Sequence, residues 1–205
     1  MLKPKKYLSK LLAPILICKC MIEIYYAGIG SRKTPQDVLN VMEQLGSVFA
    51  RKGFILRSGA AEGADAAFEK GCNLAQGKKE IYIPWAKFNN SESELYYENL
   101  PELAQEIAFE YHPNLYKCTY GVIKMMTRNS CQVLGKDCKT PSNFIVCYCT
   151  VDNKGNFEGG TGQALRVAKA YNIPVFNLFY KEELNKLKNF IKELEEIHQN
   201  FILNV

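Results

Sequence analysis

From Met21 onward, apolar runs of strand length alternate with segments that carry one helical apolar stripe. "IEIYYAG" (22–28), "FILRSG" (54–59), "KEIYIPW" (79–85), "NFIVCYCTVD" (143–152) and "IPVFNLF" (173–179) read as strands. The fourth is nearly continuous in apolar residues, as a strand covered on both faces must be. Between the first two, "TPQDVLNVMEQLGSVFARKG" reads as a helix with Val38, Val41, Met42, Leu45, Val48 and Phe49 on one side. Thr34 is its expected N-cap, Pro35 its first helical residue, Asp37 part of a capping-box-like start, and Gly53 its stop. "AAEGADAAFEKGC" (60–72) and "TGQALRVAKAYN" (161–172) predict further helices.

Strand–helix alternation of this kind predicts an α/β fold with a Rossmann-like, doubly wound, mainly parallel sheet of five strands or slightly more. Residues 86–142 exceed one crossover. "LPELAQEIAFEYH" and "LYKCTYGVIKMMTRNSCQVLG" predict a helical insertion between strands 3 and 4, placed to wall a pocket at the carboxyl edge of the sheet. The expected domain spans 21–180. Leu184, Leu187, Phe190, Ile191, Leu194, Ile197 and Phe201 mark an amphipathic helix in 181–205, packed on the domain or in a dimer interface. Residues 1–20 combine lysines with a short apolar run broken by Pro14. They are too short to span a bilayer and are expected to lie outside the fold.

Charge narrows the partners. Lys3, Lys5, Lys6, Lys10 and Lys19 account for the whole net charge of +5, so residues 21–205 are neutral overall. A long electrostatic groove for nucleic acid is therefore not expected, although a local basic patch remains open. The eight cysteines form no C-x-x-C, and only two histidines accompany them. Free, mostly buried thiols in a cytoplasmic protein are expected, with no metal site and no cofactor.

Candidate chemistry gathers where strands run into helices. In "YYAGIGSRKTP", Gly28 and Gly30 allow close backbone approach, while Ser31 and Arg32 offer a hydroxyl and a forked cation to a phosphate. Lys33 stands where a dinucleotide fingerprint has its third glycine. "RSGAAEGAD" places Ser58, Gly59, Gly63 and Asp65 at the end of the second strand. Asp65 suits a ribose hydroxyl or a helix cap, and Glu62 either faces solvent or serves as an acid or base. "EGGTG" adds Gly159, Gly160, Thr161 and Gly162 ahead of a helix. Three glycine-rich strand-to-helix turns point to a ligand grip. Arg128 and Asn129 interrupt an apolar helix and are candidates for the pocket wall; Asp152, past the fourth strand, suits ribose binding or starts a turn.

The motifs "AGIGSR", "SGAAEGADAAFE", "HPN", "RNSCQVLGKD", "PSNFIVCYCTVD" and "GGTGQALRVAKAYNIPVFNL" together resemble the SLOG superfamily, in particular its DprA-like, YspA-related members of phage and bacterial genomes. The resemblance covers about Ile22 to Leu178 and implies a Rossmannoid domain that binds a nucleotide-derived small molecule. A homodimer is a further implication. The lonely-guy phosphoribohydrolases of the superfamily carry P-G-G-x-G-T-x-x-E; here Glu158 replaces the proline, and Leu165 and Arg166 stand where acidic residues are found. If an N-glycosidic bond is hydrolysed or transferred, Glu62, Asp65 and Asp152 are the tentative catalytic carboxylates. The alternatives are a non-catalytic sensor or sequestering protein, or a DprA-like binder of single-stranded DNA. The last would draw on Arg32, Lys33, Arg57 and Arg128, with Tyr25, Tyr26, Tyr82 or Trp85 as stacking residues, though such positions suit a core equally. No membrane partner is expected.

Overall fold

The computed structural model describes residues 23–153, 157 and 159–203, with 198–203 described by their helical backbone alone. The N-terminal extension, 1–20, lies outside the described residues. Five strands, β1 (Tyr25–Gly30), β2 (Ile55–Ser58), β3 (Lys79–Ile81), β4 (Phe144–Tyr148) and β5 (Val175–Asn177), form one sheet of order β3-β2-β1-β4-β5, parallel throughout. After β3 the chain returns to the other side of β1, so the order reverses between β1 and β4. Their carboxyl ends open the crevice where open α/β sheets take ligands.

The sheet's period of two sorts its core. On one face Tyr26, Phe144 and Val146 meet Met42 and Phe49 of α1 (Gln36–Arg51), Phe68 of α2 (Ala64–Leu74), and Leu187, Ile191 and Leu194 of α6 (Glu183–Leu203). On the other, Ala27, Ile29, Ile145 and Cys147 meet Ala104 and Ile107 of α3 (Glu102–Tyr111), Cys131 and Leu134 of α4 (Tyr120–Leu134), and Ala164, Leu165 and Ala168 of α5 (Gly159–Ala170). Val48, expected in the apolar stripe of α1, is instead 36% exposed.

The insertion is more integral than a lid. Residues 126–134 of α4 are all buried, so this half belongs to the helical layer. Level with the sheet, α4 runs antiparallel to the strands. Arg128 stands over Gly59, just past the carboxyl end of β2, while Gly135, beyond the helix, meets Arg57 within the strand. Residues 120–127 therefore project beyond the carboxyl edge.

Two boundaries differ from expectation. Helix α1 begins at Gln36 with Pro35 as N-cap; Thr34 does not cap it, because its Oγ1 donates to the Ser31 carbonyl (2.7 Å). Gly159–Gly162 are the first turn of α5 rather than a loop before it. The described cysteines are free thiols, all buried except half-buried Cys118. No helix among the described residues is long and apolar enough to cross a membrane.

Candidate functional site

Gly28 and Gly30 lie within β1, not in the turn after it. A side chain at Gly28 would stand 2.6 Å from the Phe68 ring, and one at Gly30 2.7 Å from Ala64 Cβ. Both glycines thus let α2 close onto the strand, which accounts for their presence without a ligand. The turn proper is Ser31–Thr34. Ser31 N–H donates to the Tyr148 carbonyl (3.0 Å), tying the turn to β4 across the switch point. The Ser31 hydroxyl accepts the Lys33 N–H (3.0 Å). Arg32 and Lys33 are exposed and have no ion pair among the described residues.

The second glycine turn packs on the first. Gly63, with φ +80°, is the N-cap of α2, and a side chain there would meet Arg32 Cα and the Ser31 carbonyl, each at 2.8 Å. Ser58 is fully buried, and its hydroxyl donates to the Gly28 carbonyl (2.7 Å), so it is a strut between strands. Glu62 is exposed.

Beneath this turn lies the most informative cluster. Asp65, in the first turn of α2, faces Arg128 from α4, with Nη1 to Oδ2 at 3.4 Å and side chains 4% and 8% exposed. Burial pushes the Asp65 carboxyl up from the usual range, opposed by the Arg128 charge and by the backbone amides of Ala61 and Gly30. Arg128 reaches this position only because residue 59 is glycine: a Cβ there would be 1.5 Å from Nη1 and 2.7 Å from Gln132 Nε2. Four buried side-chain atoms have no hydrogen-bond partner among the described residues, and two belong here: Arg128 Nε and Gln132 Nε2, both over Gly59. Gln163 Oε1 is a third; it follows the first turn of α5, with its Nε2 3.5 Å from Ser130 Oγ on the side of α4 away from Arg128. Two orphaned donors, one of them cationic, beside the positive end of α2 suit an anionic group.

The third turn joins through Asn129, whose Nδ2 donates to the Gly160 carbonyl (3.1 Å). Gly159, with φ +64°, faces open space, whereas Gly162 packs against Phe157. Thr161 is half-buried in the same turn, and Asp152 is half-buried just past β4. Among the described residues no group of three or more His, Cys, Asp or Glu is placed to hold a metal.

Arg57 does not join the basic patch. It is 2% exposed, with Nε on Glu80 (2.8 Å), Nη1 on the Thr140 carbonyl (2.6 Å) and its guanidinium 4.0 Å from the Tyr25 ring centroid. Tyr26 and Tyr82 are core residues with no exposure, and only Trp85 of the proposed stacking residues stands well out, 39% exposed. Gln132 and Gln163 were not foreseen. The available signal was spacing, since Gln132 lies one helical turn after Arg128 on the same face of α4.

No family model matches the chain, and no curated protein matches it. Solved structures do. A molybdenum cofactor carrier protein from Chlamydomonas reinhardtii matches at 16% identity over 75% of this chain and 74% of that one, with a TM-score of 0.44. DNA processing protein A from Helicobacter pylori matches at 17% identity over 88% and 79%, also at 0.44. A molybdenum cofactor binding protein from Rippkaea orientalis matches at 15% identity over 84% and 99%, at 0.38. Likenesses this distant carry no ligand across to this chain.

Proposed function

We propose that this chain is a SLOG-type Rossmannoid protein that binds a nucleotide-derived, anionic small molecule at the carboxyl edge of its sheet. The observation that carries this reading is the Arg128–Gln132 pair, whose buried donors lie without partners over Gly59, at the carboxyl edge of the sheet. Exposed Arg32 supplies a further cation, and the first turn of α5 adds N–H groups at the same edge. Binding without turnover fits two of the three candidate carboxylates better than hydrolysis does. Asp65 is engaged with Arg128 and almost fully buried, and Glu62 points into solvent. Burial of Arg57 removes one cation from a DNA-binding surface, on a body that is neutral overall.

A thermal-shift screen of the full chain against adenosine 5′-monophosphate, NAD, ADP-ribose, cyclic nucleotides and a short DNA oligomer tests this. A bound nucleotide at a hundred times its Kd adds about 2.7 kcal/mol, raising the midpoint by roughly 5–10 °C. Chromatography should return that nucleotide unchanged. Release of free base would establish the N-glycosidase reading instead. Stabilisation by the oligomer alone would move the protein to the DNA-binding class, and no stabilisation by any of them would refute the reading.

A further inference from the structure

Trp85 follows β3 in a loop drawn over the candidate site, a place where a core residue would not stand. Two observations locate it. Asn89 Nδ2 donates to the Ala60 carbonyl (2.9 Å), fastening this loop to the Gly59–Gly63 turn. The nearest atom to a side chain built at Gly121 would be Trp85 Cζ3, at 4.0 Å, so the indole lies along the first turn of α4. Gly121 and Arg128 are two helical turns apart and share a side of α4. The two positions are about 10 Å apart along the helix, and the indole stands in the half of α4 that overhangs the sheet. The two joined loops hold Ala60, Lys87, Asn89 and Asn90 at positive φ (53°, 63°, 47° and 61°), a concentration of costly backbone for non-glycine residues. Lys124, between Gly121 and Arg128 in sequence, is drawn aside onto the Tyr97 and Tyr120 rings and paired with Glu98.

We infer that Trp85 is the base-stacking residue of this site and that its ligand is a nucleotide whose phosphate lies near Arg128 while its base reaches the indole. About 10 Å suits the distance between a nucleotide's phosphate and the far side of its base. Phe88, edge-on to the indole with centroids 5.1 Å apart, supports the ring from one side. The inference rests on the nucleotide reading above, and sharpens it by requiring an aromatic base as well as an anion.

Trp85 is the chain's only tryptophan, so its emission, excited at the red edge, reports this residue alone. The full chain is titrated with adenosine 5′-monophosphate and, separately, with ribose 5-phosphate, in wild type and Trp85→Ala. The nucleotide is expected to quench emission saturably, and Trp85→Ala to weaken it about 10- to 100-fold by calorimetry, as for loss of one stacked base. Ribose 5-phosphate should bind both forms alike without the quench. Nucleotide binding that neither quenches nor weakens in Trp85→Ala would overturn the stacking role and leave the anion site standing. If neither compound binds, both readings fall.

Discussion

Arg57 and Arg128 are both buried guanidiniums, and the difference between them separates scaffold from site. Arg57 meets a carboxylate, a carbonyl and an aromatic face, which together satisfy a cation withdrawn from water. Glu80 in turn accepts the Tyr82 hydroxyl (2.6 Å), so this corner is a closed network. Arg128 meets one carboxylate at 3.4 Å and leaves Nε without a partner, beside a glutamine in the same condition. Both arginines are equally hidden. What distinguishes them is unfinished hydrogen bonding, and it falls at the carboxyl edge of the sheet.

The largest expected effect comes from breaking the closed network. Arg57→Met strands Glu80 and should cost toward the lower end of about 3–5 kcal/mol, because Glu80 remains 23% exposed. Urea unfolding would read this loss, while nucleotide affinity measured on the folded fraction should not change. Arg128→Met reverses the pattern. It should weaken nucleotide binding roughly 10- to 100-fold, as for loss of a charged hydrogen bond, at a smaller cost in stability. The cost is smaller because Arg128 makes one 3.4 Å contact, to Asp65, which can take up a proton once its partner is gone. Arg57, by contrast, also holds the Thr140 carbonyl and the Tyr25 ring.

That asymmetry has a pH signature. Burial already raises the folded-state pKa of Asp65, and removing Arg128 raises it further. The carboxyl's contribution to stability is then complete below the unfolded carboxylate value, about 4, and is lost as pH climbs through the folded value. Unfolding free energy should therefore fall more steeply from mildly acidic to neutral pH in Arg128→Met than in wild type. A parallel pair of pH profiles would show that Asp65 is not coupled to Arg128. Smallest in stability is Gly59→Ala. The new Cβ displaces the flexible end of Arg128 rather than backbone, costing about 1–2 kcal/mol. Nucleotide affinity should fall with it by about tenfold, since the guanidinium no longer rests over residue 59.

The sheet was legible because its signals are local. Continuous apolar runs such as "FIVCY" and helical stripes such as Met42 with Phe49 need no distant partner to be read. The roles of individual polar residues were not, because their partners are remote. Arg57 finds Glu80 on the neighbouring strand and Thr140 after α4, and Arg128 finds Asp65 63 positions earlier in the chain. The same holds for glycine. In sequence Gly28 looked like a ligand-facing turn, yet the demand for it comes from Phe68, on the next helix but one strand away. Trp85 was ambiguous for a related reason, since an aromatic following a strand suits a core as well as a rim until Asn89 and Gly121 fix the loop.

The most direct test of the account is a calorimetric titration of adenosine 5′-monophosphate into the full chain and into Arg128→Met, at one pH and salt concentration. Saturable binding to the wild type is expected, weakened at least about tenfold by the substitution. Equal affinity in the two proteins would place the nucleotide elsewhere, and no binding to either would contradict the claim that this crevice holds a nucleotide.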